Sequence, residues 1–265
     1  MMLDSVGRRS RFKRTRTGKR LTLGDRDIEI LRWLYRYRYL RQTHLLKLLR
    51  PKSEKRFVER LGDLFHETGL IDRPEANATL FDAHCMSMLY EISDAGIAYL
   101  TVQDALPERA VTFSRRRSRG HRPQLLHQLM IIETLTDIEL ACLYAPNERF
   151  VPIDEILARA PATTRDAPNP LSIAVTLRPN SAHPIIRSPL EAHVIPDALY
   201  GIEYEMDGQK LYRFWALECE RTSPASRSTT VKSSTALKRA AYHAMIATKA
   251  FQGHWGIPNL ELNVR

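Results

Sequence analysis

Apolar residues recur at helical spacing from Thr22 onward, where Ile28, Leu31, Leu34 and Tyr35 mark one face of a first helix, with Thr22 as its N-cap and Asp25 three residues on. A short second helix fits Thr43 to Leu49, and Pro51 opens a third whose inward stripe is Phe57, Leu61, Leu64 and Phe65. Gly69 supplies its stop. The extended pieces "GLIDRP" and "MSMLYEIS" predict a paired β-wing, and a further helix starts near Ser93. Residues 124–145 read as an amphipathic helix, and "LSIAVTL" as a strand. The segment "HVIPDALYGIEYEMDGQKLYRFWALECERTS" gives two strands joined at Asp207-Gly208. A helix over 233–252 and a strand "IPNLELNV" complete the order α, β, β-hairpin, α, β. The expected fold class is α+β: a winged helix-turn-helix over residues 21–103, then a second αβ domain over 124–265 with a mixed sheet flanked by helices.

The 265 residues carry a net charge of +10 that is unevenly spread. Residues 1–123 hold 26 Lys and Arg against 15 Asp and Glu, whereas 124–265 hold 14 against 15. The basic excess lies with the expected winged helix and points to a polyanion, nucleic acid first, as the partner. Residues 1–20 carry Arg8, Arg9, Arg11, Lys13, Arg14, Arg16, Lys19 and Arg20 against Asp4, with too few apolar residues to bury a core. They read as a flexible arm that neutralises phosphates. The outward side of the third helix carries Lys52, Lys55, Arg56, Glu59 and Arg60. A helix that enters the DNA major groove needs such cations, although a solvated face has the same composition. Residues 104–123 read as a basic linker, whose Arg115, Arg116, Arg117 and Arg119 either follow a DNA backbone or keep the linker soluble.

Several chemistries are disfavoured. No apolar run reaches the roughly 18 residues of a membrane span and the first twenty residues are basic, so a cytoplasmic protein without membrane contact is expected. Cys85, Cys142 and Cys219 are too scattered for a disulfide framework or a zinc site and are expected as buried thiols. Tyr35, Tyr37 and Tyr39 suit aromatic packing better than nucleophilic strand transfer, since no closely spaced His-x-His cluster accompanies them. Gly18-Lys19 lacks the upstream glycine of a nucleotide-binding loop.

The second domain carries an acidic constellation. Pro196-Asp197 falls on the first strand of the hairpin, and Glu218 and Glu220 share one side of the second, so one carboxylate from each strand can meet. Carboxylates at the end of the apolar "RFWAL" run are costly unless they hold a cation, and such oxygen ligands suit Mg²⁺ or Mn²⁺. Asp197 and Glu218 would then be ligands, with Glu133 of the preceding helix able to join them. Glu220 would be a further ligand or a water-orienting base, and Lys238 or Arg221 would stabilise a pentavalent phosphorus. The same acids can instead pair with Arg221, Lys232 and Lys238 and hold no metal.

This "PD … E-x-E" hairpin resembles the restriction-endonuclease-like nucleases. The wider chain from about residue 21 resembles the replication-relaxation family of plasmid and phage proteins. The likeness lies in "LTLGDRDIEILRWLYRYRYLRQTHLLKLL", "YEISDAGIAYL", "HQLMIIE" and "PDALYGIEY…FWALECERTSPA". It implies a winged helix joined to a nuclease-like domain acting in plasmid replication and DNA relaxation, and related relaxases cut with acids instead of tyrosine. It also implies Glu133 as the helix acid, Asp197 as the P-D acid and Glu218 as the strand acid, with His127 lining the site. Glu220 stands where the nuclease signature has lysine, and Lys238 on the following helix is placed to supply that charge. The expected function is binding of double-stranded plasmid, phage or mobile-element DNA in replication or mobilisation, with metal-dependent nicking. A homodimer and partner replication or mobilisation proteins fit this reading. The rivals are a non-catalytic replication or transcription regulator with a degenerate nuclease-like domain, and an RNA-binding protein.

Overall fold

The computed structural model describes residues 9–74, 87–106, 122–179, 186–220 and 235–265. They fall into two units, Met1–Thr136 and Asp137–Arg265.

In the first unit, helix α1 (Asp25–Tyr37) is capped by Gly24 and not by Thr22. The Asp27 carboxylate reaches back to accept the Gly24 N–H (2.9 Å), which fixes the start two residues later than the pattern suggests. Ile30, Leu31, Leu34 and Tyr37 turn inward, while Ile28 and Tyr35 are half-buried. A strand that the periodicity does not show, β1 (Tyr39–Arg41), leads into α2 (Gln42–Leu49). Ser53 caps α3 (Glu54–Asp63), its hydroxyl accepting the Arg56 N–H (3.4 Å). The chain runs on through a π-helical turn, Leu64–Thr68, until Gly69 at φ +70° ends it and donates its N–H to the Leu64 carbonyl (3.0 Å). Phe57, Leu61, Leu64 and Phe65 are all buried as expected, each contributing about 1.5–3 kcal/mol.

Strands β2 (Ile71–Asp72) and β3 (Leu89–Ile92) pair antiparallel, and β1 takes the other edge of β3 in the order β1-β3-β2. Ser93 caps α4 (Asp94–Val102), accepting the Gly96 N–H (3.0 Å) and donating to the Gly69 carbonyl (2.6 Å). This junction requires glycine at 96, because a Cβ there would stand 2.2 Å from the Leu70 carbonyl oxygen. The Ser-x-x-Gly of "SDAG" therefore locks α4 to the end of the π-turn.

The basic arm differs from expectation. From Arg9 to Lys19 it lies along α3, the π-turn and β2, held by ion pairs and hydrogen bonds to Asp63, Glu67 and Asp72, so this part is a strap and not a free tail. The carbonyls of Phe65, Gly69 and Ile71 and the Asp72 carboxylate around Arg14 supply the reason: the C-terminal end of a helix and its acids attract cations.

Helix α5 (Arg122–Tyr144) contains the border between the units. Of the expected linker, residues 107–121 lie outside the described residues, and with them Arg115, Arg116, Arg117 and Arg119. Cys85, Arg221 and Lys232 also lie outside them.

The second unit has more elements than its pattern suggests. After α5 come β4 (Glu148–Val151), α6 (Ile153–Arg159) and α7 (Ala162–Arg165), none of which the periodicity reveals. Strands β5 (Ile173–Leu177) and β6 (Leu190–Val194) form their own antiparallel pair. The residues "HV" thus belong to β6 and not to the hairpin strand that follows. That hairpin is β7 (Ala198–Met206) and β8 (Gln209–Glu218), closed by Asp207 and Gly208 at φ +51° and +74°, a type I′ turn. Helix α8 (Thr235–Ala247) stops where Lys249 enters the left-handed region, so the expected single helix is broken before α9 (Ala250–Trp255). Strand β9 (Glu261–Val264) then pairs parallel with β8 and completes a mixed sheet, β4-β7-β8-β9. Its core joins Leu199, Phe214 and Ala216 of this sheet to Ile173 and Val175 of β5 and to Ala241, Met245 and Trp255 of α8 and α9. The fold class is α+β. Cys142 and Cys219 are buried thiols, as expected.

Gly96→Ala should lower the stability of the first unit by about 2–3 kcal/mol through overpacking against Leu70. Gly62→Ala inside α3, where a Cβ meets only the tip of Arg9 at 3.7 Å, should raise it by about 0.5–1 kcal/mol. Urea midpoints of the two variants moving in the same direction would contradict this account of the junction.

Candidate functional site

The register of the β7–β8 hairpin builds the acidic site. The β7–β8 ladder closes at Ala198 and Leu217, so Asp197 stands one residue before β7 and not on it, Glu218 ends β8, and Glu220 lies beyond the strand. Asp197 is fixed on both sides of Glu218: its N–H donates to the Leu217 carbonyl (3.0 Å) and its Oδ2 accepts the Cys219 N–H (2.8 Å). The end of β9 braces the same place, with the Arg265 N–H on the Glu218 carbonyl (2.9 Å) and the Glu220 N–H on the Arg265 carbonyl (2.8 Å).

Glu218 is only 2% exposed at the end of an apolar strand, and an unpaired carboxylate there would be prohibitively costly. Helix α8 supplies its partners. Lys238 and Tyr242, one helical turn apart, each donate to one Glu218 oxygen. Burial pushes the Glu218 carboxyl up, the Lys238 and Tyr242 hydrogen bonds and the Lys238 charge pull it down, and the Asp197 charge pushes it up again, to about 7. Burial and the two acids drive the Tyr242 phenol far above its ordinary range, so it stays a donor. Glu220 pairs more loosely with the next α8 residue, Arg239 (3.5 Å), whose side chain is mostly exposed.

Asp197, Glu218 and Lys238 are therefore gathered as the sequence suggests, with Glu220 on the adjacent Arg239. Tyr242 escapes the sequence pattern because a tyrosine within "RAAYHAM" reads as core, and only its four-residue spacing from Lys238 hints at a shared target. Glu133 lies in the first unit, where Arg41 holds it at 2.5 Å, and His127 is half-buried on the same stretch of α5. Among the described residues, no group of three or more His, Cys, Asp or Glu is arranged to hold a metal. Asp197 and Glu218 bring two carboxylates to the end of the hairpin, each already engaged by hydrogen bonds from the protein.

The basic helix α3 sorts its cations into two kinds. Lys55 and Arg56, with Lys52 just ahead of them, are exposed and form no ion pair with a described residue. Arg60 is committed elsewhere: its guanidinium clasps both oxygens of the buried Asp27 (2.8 and 2.5 Å) and the Thr22 carbonyl (2.7 Å). It ties α3 to the start of α1.

A family model described as replication-relaxation matches residues 31–260. The chain belongs to the replication-relaxation family. Its matched span runs from α1 to the residue before β9 and so takes in both units, the hairpin acids and α8. Membership gives the chain a role in the replication and relaxation of mobile elements. A search of curated proteins and a search of solved structures each return no match. Among the described residues, no helix is long and apolar enough to cross a membrane.

The carboxyl of Glu218 ionises near its ordinary 4.5 in the unfolded chain and near 7 in the folded one. Its charge therefore costs stability progressively as pH rises from about 4.5 to about 7, and the cost is complete above that. Tyr242→Phe, which removes a hydrogen bond to the charged form, should move the Glu218 titration above pH 7, as read from the infrared or ¹³C signal of the carboxylate. Glu218→Gln should gain stability relative to the native chain across the same window, and a pH-independent difference would contradict the assignment.

Proposed function

We propose that this replication-relaxation protein binds duplex DNA of a plasmid, phage or mobile element through a winged-helix first unit, and nicks it in a metal-dependent reaction at the Asp197–Glu218 site. The observation that carries the reading is Asp197 tied to the backbone on either side of Glu218, with Lys238 on the Glu218 carboxylate. Support for the DNA-binding half comes from the order of helices, the β2–β3 pair and the exposed cations Lys52, Lys55 and Arg56.

The donor chemistry fits Mg²⁺ or Mn²⁺. Magnesium commonly takes one or two carboxylates and fills its remaining positions with water and substrate phosphate, which suits Asp197 and Glu218 without a third acid. When bound, the ion would polarise the phosphate and activate water. The chain's own groups have distinct tasks. Asp197 is held by the backbone on either side of Glu218, which fixes the place of its carboxylate. Tyr242 holds Glu218 in orientation from α8. Lys238, with its side chain 41% exposed, reaches both Glu218 and solvent and stabilises charge on the phosphorus oxygens. Glu220, only loosely paired, orients the attacking water or adds a ligand.

A second reading has its own support. Glu220 stands at the signature's lysine position and both Glu218 oxygens are taken by Lys238 and Tyr242, an arrangement that also suits a regulator with a degenerate nuclease-like domain.

Incubation of supercoiled plasmid carrying the element's own origin with the protein and Mg²⁺ or Mn²⁺ separates the two. Open circles from the native protein and none from Asp197→Ala or Glu218→Ala are expected, with duplex affinity kept in both variants. Tight duplex binding without conversion, and no metal uptake by calorimetry, would favour the regulator. Replacing Lys52, Lys55 and Arg56 together by Ala should weaken duplex binding at least tenfold and flatten its salt dependence, the log–log slope falling by about 0.9 for each phosphate no longer neutralised.

A further inference from the structure

Residues Arg9 to Arg20 divide their cations between two sides. The inward ones are engaged by the protein itself. Arg9 bridges Asp63 (3.1 Å) and Glu67 (2.9 Å), and Lys19 takes the other Asp63 oxygen (2.5 Å). Arg14 donates to the carbonyls of Phe65, Gly69 and Ile71 and to Asp72 (2.6 Å), and its guanidinium also lies 5.4 Å from the centre of the Phe65 ring. The backbone is pinned between these anchors: the Thr15 N–H donates to His66 Nδ1 (3.1 Å), and both the N–H and the hydroxyl of Thr17 donate to Glu67 (2.9 and 2.8 Å). The anchoring acids are well shielded, Asp63 at 9% and Glu67 at 4% side-chain exposure. Burial pushes the Asp63 carboxyl up, but hydrogen bonds from Lys19 and Arg9 outweigh it and hold the group below its ordinary range.

Three further cations of this segment have no such partners. Lys13, Arg16 and Arg20 are exposed, and their side chains make no hydrogen bond or ion pair with a described residue. Asp63, Glu67 and Asp72 are occupied by the inward set, so the strap presents positive charge on a backbone already held in place. A flexible tail would lose its conformational freedom on binding a polyanion, whereas a pre-ordered one has lost it on folding. One anchor of the strap, Asp63, stands at the C-terminal end of α3, about 12 Å along the helix axis from Lys55.

We infer that the strap is a pre-ordered phosphate-binding element for duplex DNA, with Lys13, Arg16 and Arg20 as its contacts and Asp63 and Glu67 as its anchors. The inference rests on the duplex-binding reading above. Its particular consequence concerns the two acids. By charge alone, removing two negative groups from a DNA-binding protein strengthens binding. If they anchor the strap, removing them weakens it.

The test is fluorescence anisotropy of a labelled duplex against the full chain over a range of KCl concentrations, with thermal unfolding as a control for folding. Lys13→Gln/Arg16→Gln/Arg20→Gln alters only exposed groups without partners among the described residues. It should lower affinity at least tenfold at about 0.15 M salt and reduce the slope by about 2–3, at 0.9 per phosphate. Asp63→Asn/Glu67→Gln should lower affinity several-fold with the slope unchanged, and trypsin should cut sooner within residues 9–20 than in the native chain. Native affinity and slope in the strap variant, alongside weakened binding by the α3 triple variant, would overturn the strap and leave the duplex-binding reading standing. Tighter binding by the Asp63/Glu67 variant would overturn the anchoring. Absence of duplex binding by the native chain would remove the reading itself and the strap with it.

Discussion

Glu218 is a carboxylate buried at the end of a strand whose other inward residues, Phe214 and Ala216, are apolar, and the second unit is arranged around the cost of that placement. The close of the hairpin sets Asp197 beside it, which makes ionisation harder, and α8 answers with an ammonium and a phenol from consecutive turns. The anchoring runs both ways. Because Lys238 and Tyr242 are fixed in rotation by Glu218, α8 turns Ala240, Ala241 and Met245 into the core shared with β5, α9 and the sheet. The polar cluster and the apolar packing therefore specify the same helix orientation. A protein built only for stability would do as well with an apolar residue at 218, so three ionisable groups gathered there accord with the proposed chemistry.

The first unit solves a different electrostatic problem. It must carry many cations and still fold, and it does so by giving some of them structural partners. Arg60 clasps Asp27, Arg41 takes Glu133, and Arg9, Arg14 and Lys19 take the acids at and beyond the end of α3. Arg73 lies 4.4 Å from the centre of the Phe65 ring, so the π-turn has a guanidinium from the strap and another from β2's flank on one aromatic side chain. What is left for a polyanion is a smaller and more directed set than composition suggests.

How much of this was legible depends on the distance over which each interaction acts. The stripe Phe57, Leu61, Leu64 and Phe65, the helix start near Ser93 and the Asp207-Gly208 turn are local, and each is found where its pattern puts it. Gly24 takes the place of Thr22 as the first cap because Asp27 reaches back, a choice between two acceptable starts that periodicity does not make. The short elements β1, β4, α6 and α7 have too few residues to display a period and owe their form to pairing or packing with distant segments. That Asp197 and Glu218 come together could be read from the two strands and the turn that joins them. The strap could not, since eight basic residues in twenty look alike until Asp63, Glu67 and Asp72 separate those facing in from those facing out.

The parallel pairing of β9 with β8 has a bearing on biosynthesis. Strands β7 and β8 are neighbours in sequence and can close soon after they leave the ribosome, but β9 follows only after α8 and α9 have been made. In the interval β8 is an open edge, offering unpaired backbone groups from Trp215 to Glu218 to other nascent chains. The brace that Arg265 gives to Glu218 and Glu220 likewise forms only once β9 has been made. The acidic site is thus completed only after β9 has been made, and a chain halted before β9 has the carboxylates and the lysine helix without the strand that braces them.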